Sequence, residues 1–169
     1  MSVHEATIEW RRFTPDFDYA TFDRGHWLAF PGDIRIPGTA ARGNIPGSAP
    51  VSAGVDPEQA FVAALSSCHM LWFLHLAGAK KLVVDRYVDR AAGVLEKDGA
   101  GQLAMTRVTL KPTVTFGGAL PAEEEVRALH ERAHEQCFIA NSVKTVVAVE
   151  PEFDEEQPRI HAAEHGGKP

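Results

Sequence analysis

The first third of the chain alternates short apolar and polar stretches in a way that predicts β-strands. Apolar and polar residues alternate over 6–10, which is the period of a half-buried strand. Further short strands are predicted over 19–22 and 26–30. The segment 31–54 is rich in Gly, Pro and Ser, so it predicts a long surface loop, of a kind that often carries function.

A helix is predicted after this loop, and its start is well marked. Asp56 can cap the first turn, and Pro57 suits the first helical position. Gln59, three residues past the cap, can complete a capping box. The run from Ala60 to Ala79 is apolar almost all round, which predicts a helix buried on every side.

The second half of the chain predicts more strands and one more helix. Stretches 83–95 and 103–116 flank the turn residues 98–101 and together indicate a hairpin. A last strand is predicted over 143–149, where apolar and polar residues alternate again.

An amphipathic helix is predicted between this hairpin and the last strand. Pro121 and the acidic run Glu123 to Glu125 open it with the charge sign that stabilises a helix N-terminus. Its apolar positions are spaced by three and four residues and form one buried stripe: Val126, Leu129, Ala133 and Cys137.

The order of these elements is that of an α+β protein. A length of 169 residues fits one domain at roughly 150 residues per domain, and we assign that domain to 1–153. The 44% apolar content is enough for a packed core. Residues 154–169 are polar and interrupted by Pro and Gly, which predicts a disordered C-terminal tail.

Charge and hydropathy narrow the function classes. The 17 Lys and Arg against 23 Asp and Glu give a net charge of −6, which argues against nucleic acid as a partner. No uninterrupted apolar run approaches the ~18 residues that cross a bilayer. The first residues also lack the basic and apolar regions of a signal peptide. We therefore expect a cytoplasmic protein that does not associate with membranes.

Two cysteines, Cys68 and Cys137, are too few for a disulfide scaffold and leave three interpretations open. They could be inert core residues, a redox pair, or zinc ligands together with His69 and His134. His134 and Cys137 share a helix face, but Cys68 and His69 point about 100° apart on a helix. Zinc is therefore the weakest of the three.

Two segments resemble the cysteine motifs of the OsmC/Ohr family. DPEQAF at 56–61, followed by AALSSCHM at 63–70, looks like the first motif, and AHEQCFIANS at 133–142 is similar to the second. The order of strands and helices fits as well, from residue 3 to about 151. The resemblance favours the redox pair over the other two interpretations.

The resemblance implies a peroxidase that reduces organic hydroperoxides with thiols, without a metal or organic cofactor. It implies an intertwined homodimer in which antiparallel sheets surround a buried central helix, with active sites at the subunit interface. By motif position, Cys68 is the peroxidatic cysteine, Cys137 the resolving cysteine, and Glu58 the family's glutamate. Arg24 is the best match to the family's arginine, and an external dithiol is the expected reductant.

The implied residues make chemical sense together. A thiol attacks an O–O bond only as the thiolate, which an apolar setting disfavours and a guanidinium favours. A buried arginine in turn needs a carboxylate, for which Glu58 is the candidate. On a straight helix Glu58 and Cys68 lie about 15 Å apart, so the cluster predicts a break near Ser66 and Ser67. Other arginines that compete with Arg24 are Arg11, Arg12, Arg35 and Arg42.

Apolar neighbours of the cysteines could line a pocket for the organic tail of a hydroperoxide, although each also fits ordinary core packing. They are Phe61, Leu65, Met70, Trp72 and Phe138. His69 could tune the neighbouring thiol, or it could be a hydrogen-bonded core histidine. Two other functions stay open: a binding module for a small apolar ligand, and a thiol-based sensor of oxidants.

Overall fold

The structure is a computed structural model that describes residues 1–13, 15, 17–47, 49, 52–118 and 120–153. The predicted tail over 154–169 lies outside the described residues. The chain divides into two compact units, Met1–Phe61 and Val62–Pro169, and each is described by itself below.

The first unit contains an antiparallel sheet of three strands in the order β1 (Thr7–Glu9), β2 (His26–Phe30) and β3 (Ile34–Gly38). The prediction for β2 is confirmed, residue for residue. The prediction of an uninterrupted loop over 31–54 is wrong, because β3 lies inside it. Gly32 and Asp33 adopt positive φ angles of 83° and 60°, and this turn folds the chain back against β2.

The predicted strand over 19–22 is also wrong, because this segment is a turn. The carbonyl of Asp18 accepts hydrogen bonds from the backbone N–H groups of Thr21 and Phe22, at 3.1 and 2.9 Å. The Asp18 carboxylate accepts a further one from the N–H of Ala20 at 2.8 Å. An aspartate that satisfies the backbone in this way favours a turn over a strand ladder.

Helix α1 spans Pro57–Ala79, and its predicted start is confirmed. The N–H of Gln59 donates to Asp56 Oδ1 at 2.7 Å, and the N–H of Asp56 donates to Gln59 Oε1 at 3.2 Å, which is a complete capping box. The predicted break near Ser66 is wrong, because the helix is continuous. Ser66 Oγ donates to Asp89 Oδ2 at 2.5 Å, so this hydroxyl does not compete for the helix backbone.

The prediction that α1 is buried on every side does not hold within one chain. The buried residues form one stripe at intervals of four, Leu65, His69, Phe73 and Ala77. Elsewhere on the helix Leu71 is 60% exposed. With a mean hydropathy of 1.5, α1 is long and apolar enough to cross a membrane, a test that core helices of other proteins pass as well.

The second unit contains the rest of α1, a second helix and five strands. Their bounds are β4 Val83–Asp89, β5 Ala92–Lys97, β6 Leu103–Leu110, β7 Pro112–Gly117, α2 Glu123–Gln136 and β8 Val146–Val149. The predicted hairpin exists as β5 and β6. Each of the two predicted stretches is divided into two strands, however: the first also contains β4, and the second also contains β7. These two, β4 and β7, pair with each other in a separate antiparallel sheet.

Asp89 marks the point where the chain leaves one sheet for the other. Its Oδ1 accepts a hydrogen bond from the backbone N–H of Lys111 at 2.6 Å, between β6 and β7. Strand β8 extends the β5–β6 sheet by pairing in parallel with β6, so the expectation of purely antiparallel sheets is wrong at this strand. A parallel neighbour needs a long crossover, which α2 supplies.

The core of the second unit lies where α1 and α2 pack together against β7. Its buried residues are Phe73, Ala77, Val114, Val126, Leu129 and Ala133. The predicted stripe of α2 is confirmed, since all four of its members are buried. An ion pair of 2.8 Å between Lys80 and Glu125 joins the end of α1 to the start of α2, so the two helices run antiparallel.

We expect Phe73→Ala to lower the free energy of unfolding by about 3–5 kcal/mol, because it leaves a cavity in a dense core. Phe73 is fully buried between the helices. Chemical denaturation followed by circular dichroism measures the change. Leu103→Ala is the control, because Leu103 is 68% exposed; this variant should stay within about 0.5 kcal/mol of the wild type. Equal losses in the two variants would contradict the assigned core.

Candidate active site

The packing of α1 against α2 brings the two cysteines together, and they form the centre of the candidate site. Cys68 lies on α1 and is partly exposed, whereas Cys137 follows the last residue of α2 and is only 1% exposed. Both are free thiols, and the Cys137 thiol is hydrogen-bonded to the side chain of Cys68. Residues from opposite ends of the second unit's sequence therefore meet in space.

The two thiols differ in their surroundings. Burial, and then the hydrogen bond with Cys68, raise the pKa of Cys137 to about 11. The backbone N–H of Ala140, 3.5 Å from Cys137 Sγ, opposes this pKa shift only in part. Cys137 is thus a protonated hydrogen-bond donor at neutral pH, while Cys68 is the thiol that solvent and a small molecule can reach.

Of the predicted lining residues, Trp72 and Phe138 contact each other. Their rings meet edge to face with centroids 5.3 Å apart, and Phe138, which directly follows Cys137, is 67% exposed. Leu65 is fully buried, as an ordinary core residue would be. Met70 is half-buried on α1, and Phe61 belongs to the first unit. Trp72 and Phe138 are therefore the aromatic pair beside the thiols.

Glu58 lies in the first turn of α1. Asn44 Nδ2 donates to its Oε1 at 2.9 Å, and its Oε2 is buried without a partner among the described residues. Because α1 is continuous, the ten positions from Glu58 to Cys68 correspond to about 15 Å along the helix axis. The bend that would have drawn these two residues together within one chain is absent from this helix, which weakens the case for Glu58.

Arg24 is held by its own segment of the first unit. It donates hydrogen bonds of 2.7 Å to the carbonyls of Tyr19 and Phe22, and its guanidinium lies 3.9 Å from the centre of the Phe22 ring. Within the described residues of this single chain, no ion pair joins Arg24 to Glu58. The roles of both residues stay predictions.

A buried histidine pair lies between the helices, and the sequence analysis missed one of its members. His69 Nε2 on α1 is 3.0 Å from His130 Nδ1 on α2, with ring planes within 7° of parallel. His130 also stacks on Phe73, with centroids 4.2 Å apart. The sequence spacing could have identified His130 as buried. It follows Val126 by four positions and precedes Cys137 by seven, so it lies on the buried face of α2.

Both histidines are neutral in this environment. Burial first, and then the nearby His134, lower the pKa of His69 to about 4. Burial first, and then His69 and Arg127, lower the pKa of His130 to about 3. One ring nitrogen therefore donates and the other accepts, and His69 is a hydrogen-bonded core histidine.

The geometry does not favour the zinc interpretation. Among the described residues, no three His, Cys, Asp or Glu side chains are grouped in a way that could hold a metal ion. His69, one of the four proposed ligands, also uses its Nε2 in the bond to His130.

Comparison with known proteins gives one family and several similar structures. The family model described as OsmC-like protein matches residues 48–152. A structure titled an OsmC-like protein of unknown function, from Vibrio cholerae, is 42% identical, with 90% of this chain and 100% of that chain covered and a TM-score of 0.85. A comparison with curated proteins finds no significant match.

More distant structures share the fold. An organic hydroperoxide resistance protein OsmC from Legionella pneumophila is 16% identical with a TM-score of 0.62, and 90% of this chain and 98% of that chain are covered. The organic hydroperoxide resistance protein OhrB of Bacillus subtilis is 19% identical with a TM-score of 0.60. The match covers 89% of this chain and 98% of that chain. At these identities the likeness shows the fold alone.

We expect the histidine pair to make the protein less stable in acid. The pKa values of His69 and His130 are about 4 and 3 when folded, against 6.5 as the ordinary value. The unfolded chain therefore binds more protons below about pH 6.5, and stability falls from there towards pH 4. Each histidine accounts for about 2 kcal/mol between pH 7.5 and pH 5.

The measurement is chemical denaturation at about pH 7.5 and pH 5. The double variant His69→Gln with His130→Gln should lose less stability between these two conditions than the wild type does. His75→Gln is the control, because His75 is exposed on the same helix, and it should behave as the wild type. A double variant with the full wild-type acid sensitivity would show that other groups cause it.

Proposed function

The chain belongs to the OsmC-like protein family, and we propose that it is a cysteine-based peroxidase that reduces organic hydroperoxides. The observation that carries the proposal is the contact between an accessible thiol and a buried one, Cys68 and Cys137. Two distant relatives of the same fold are titled organic hydroperoxide resistance proteins. The resistance to organic hydroperoxides in their names supports a peroxidase over the alternatives of a binding module and an oxidant sensor.

In the first step the Cys68 thiolate attacks one oxygen of the peroxide. An S–O bond forms while the O–O bond breaks, so the sulfur is oxidised to a sulfenic acid and the peroxide is reduced. The departing alkoxide takes up a proton and leaves as the alcohol. A cation beside Cys68 would favour this step, because it stabilises both the thiolate and the departing oxygen.

In the second step Cys137 resolves the sulfenic acid. Its sulfur attacks the sulfur of Cys68, an S–S bond forms, and the S–O bond breaks. The raised pKa keeps Cys137 protonated until then, so its proton must leave as the sulfur attacks, and it departs with the hydroxide as water. An external dithiol reduces the disulfide by exchange and returns both thiols.

The remaining residues are assigned on weaker grounds. Arg24 and Glu58 are the candidate cation and its carboxylate on the family resemblance alone. Trp72 and Phe138 supply an exposed aromatic surface beside the thiols, which suits the organic tail of a substrate. Met70, half-buried on α1, is a further candidate for contact with that tail.

We also propose that the protein acts as a homodimer. Helix α1 is apolar almost all round, yet its buried residues within one chain form a single stripe. Leu71 on its outer face is exposed, and so are Phe138 and Ile139 just beyond α2. Trp72, the neighbour of Leu71 in the sequence, contacts Phe138, and exposed apolar side chains grouped in one region are typical of an interface between proteins. A second copy of the chain would complete the burial that the sequence pattern predicts.

We expect Cys68→Ser to abolish turnover of cumene hydroperoxide with a dithiol reductant, because it removes the nucleophile. Cys137→Ser should instead accumulate a sulfenic acid or a mixed disulfide at Cys68, detected by mass spectrometry of the intact protein. The wild type should lose both thiols after one equivalent of peroxide and regain them with reductant.

The other outcomes separate the alternative functions. Equal consumption of hydroperoxide by the wild type and Cys68→Ser would exclude the peroxidase and favour the binding module. One round of oxidation without repeated turnover in excess reductant would favour the sensor.

We expect Leu71→Glu to shift the protein from dimer to monomer, because it buries a charge in the proposed interface. Sedimentation velocity measures the change. Val83→Glu is the control, because Val83 is similarly exposed, at 58%, but lies outside α1. A wild-type monomer at micromolar concentration would contradict the proposal.

A further inference from the structure

Four buried polar atoms without hydrogen-bond partners lie near one another in the second unit. Within the described part of the chain they are His69 Nδ1, Tyr87 Oη, His130 Nε2 and His134 Nδ1. His130 lies between the others: it is hydrogen-bonded to His69, its ring centroid is 6.3 Å from that of Tyr87, and His134 follows one turn later on α2. A buried polar group that lacks a partner costs about 1–3 kcal/mol, so such a cluster implies an occupant.

A cavity of about 210 Å³ adjoins this cluster. Its walls come from α2 and from the chain at and after the end of β8: Arg127, His130, Glu131, His134, Val149 and Pro151. Drug-sized ligands occupy ~300–1,000 Å³, so this cavity fits a molecule of only a few heavy atoms. His130 itself is 2% exposed, and its Nε2 is the ring nitrogen that His69 leaves free.

The polar wall of the cavity selects for negative charge. Arg127 lines the cavity, and its guanidinium also lies 4.6 Å from the centre of the Phe153 ring. When His69 donates to His130 Nδ1, the neutral ring of His130 carries its hydrogen on Nε2, a buried donor that has no other partner among the described residues. A guanidinium and an imidazole N–H together favour an acceptor that is ionised.

The other residues that line the cavity narrow the chemical class of the ligand further. The carboxylate of Glu131 also lines the cavity, so a single negative charge is favoured over a double one. Val149 and Pro151 supply an apolar side against which a short hydrocarbon tail can pack. These features fit a monocarboxylate better than inorganic phosphate.

We propose that this cavity is a binding site for a short-chain carboxylate, whose oxygens accept hydrogen bonds from Arg127 and His130 Nε2 and whose tail lies against Val149 and Pro151. The occupied site satisfies one of the orphaned buried atoms and fixes the direction of the His69–His130 hydrogen bond. The site is separate from the proposed peroxide chemistry and does not depend on it.

The test is an NMR titration of the full-length protein with labelled histidines, using butyrate, acetate and inorganic phosphate at matched ionic strength. Butyrate should shift the His130 ring resonances saturably with a millimolar dissociation constant, as expected for so small a ligand. Acetate should bind more weakly because it lacks the tail. The Nε2 resonance of His130 should be that of a protonated nitrogen.

Two exposed arginines on α2 give a matched pair of variants. Arg127→Gln should weaken butyrate binding about tenfold or more, because it removes the charge-assisted bonds. Arg132→Gln removes the same charge outside the cavity lining and should bind as the wild type does. The Cys68→Ser protein should also bind butyrate normally, even where peroxide turnover is lost.

Three results would overturn the proposal. They are the absence of a saturable shift with butyrate, equal binding by Arg127→Gln and Arg132→Gln, and phosphate binding as tight as that of butyrate. Because Arg127 is exposed, its variant should fold even where a change at His130 would not.

Discussion

The packing of α1 against α2 is the constraint on which the rest of the second unit depends. A stripe on α1 that repeats every four residues meets the buried face of α2, and the two helices run antiparallel, as the ion pair between Lys80 and Glu125 at one end shows. With the direction fixed, Phe73 stacks on His130 and the Cys68 thiol meets that of Cys137. A shift of one helix by a turn would separate both pairs.

The same burial shifts the pKa values of three titratable groups along this interface. It raises the pKa of Cys137 and lowers the pKa values of His69 and His130, so the thiol and both imidazoles are all neutral at pH 7. Desolvation disfavours the charged form whatever its sign. The interface can therefore hold polar groups within a hydrophobic core, provided that they hydrogen-bond to one another. Cys68 lies at the partly exposed edge of the same interface.

The sequence predicted local features well where a few adjacent residues decide the structure. The capping box of Asp56 and Gln59, the span of β2 and the buried stripe of α2 are of this kind. It failed where a single side chain redirected the backbone. Asp18 turned a predicted strand into a turn, and Ser66 bonded to a distant aspartate, so the helix did not break. Neither partner is visible in a pattern of apolar and polar positions.

By itself the sequence determined the family resemblance, the two cysteine motifs and the buried face of α2, because these depend on residue type and spacing along the chain. Only the tertiary structure decided that the two thiols touch, that His69 is bonded to His130, and that Arg24 and Glu58 form no ion pair within the described chain. It also decided that β4 pairs with β7 and β6 with β8. Contacts between residues far apart in sequence depend on how the helices and strands pack, and periodicity along one element carries no information about its neighbours.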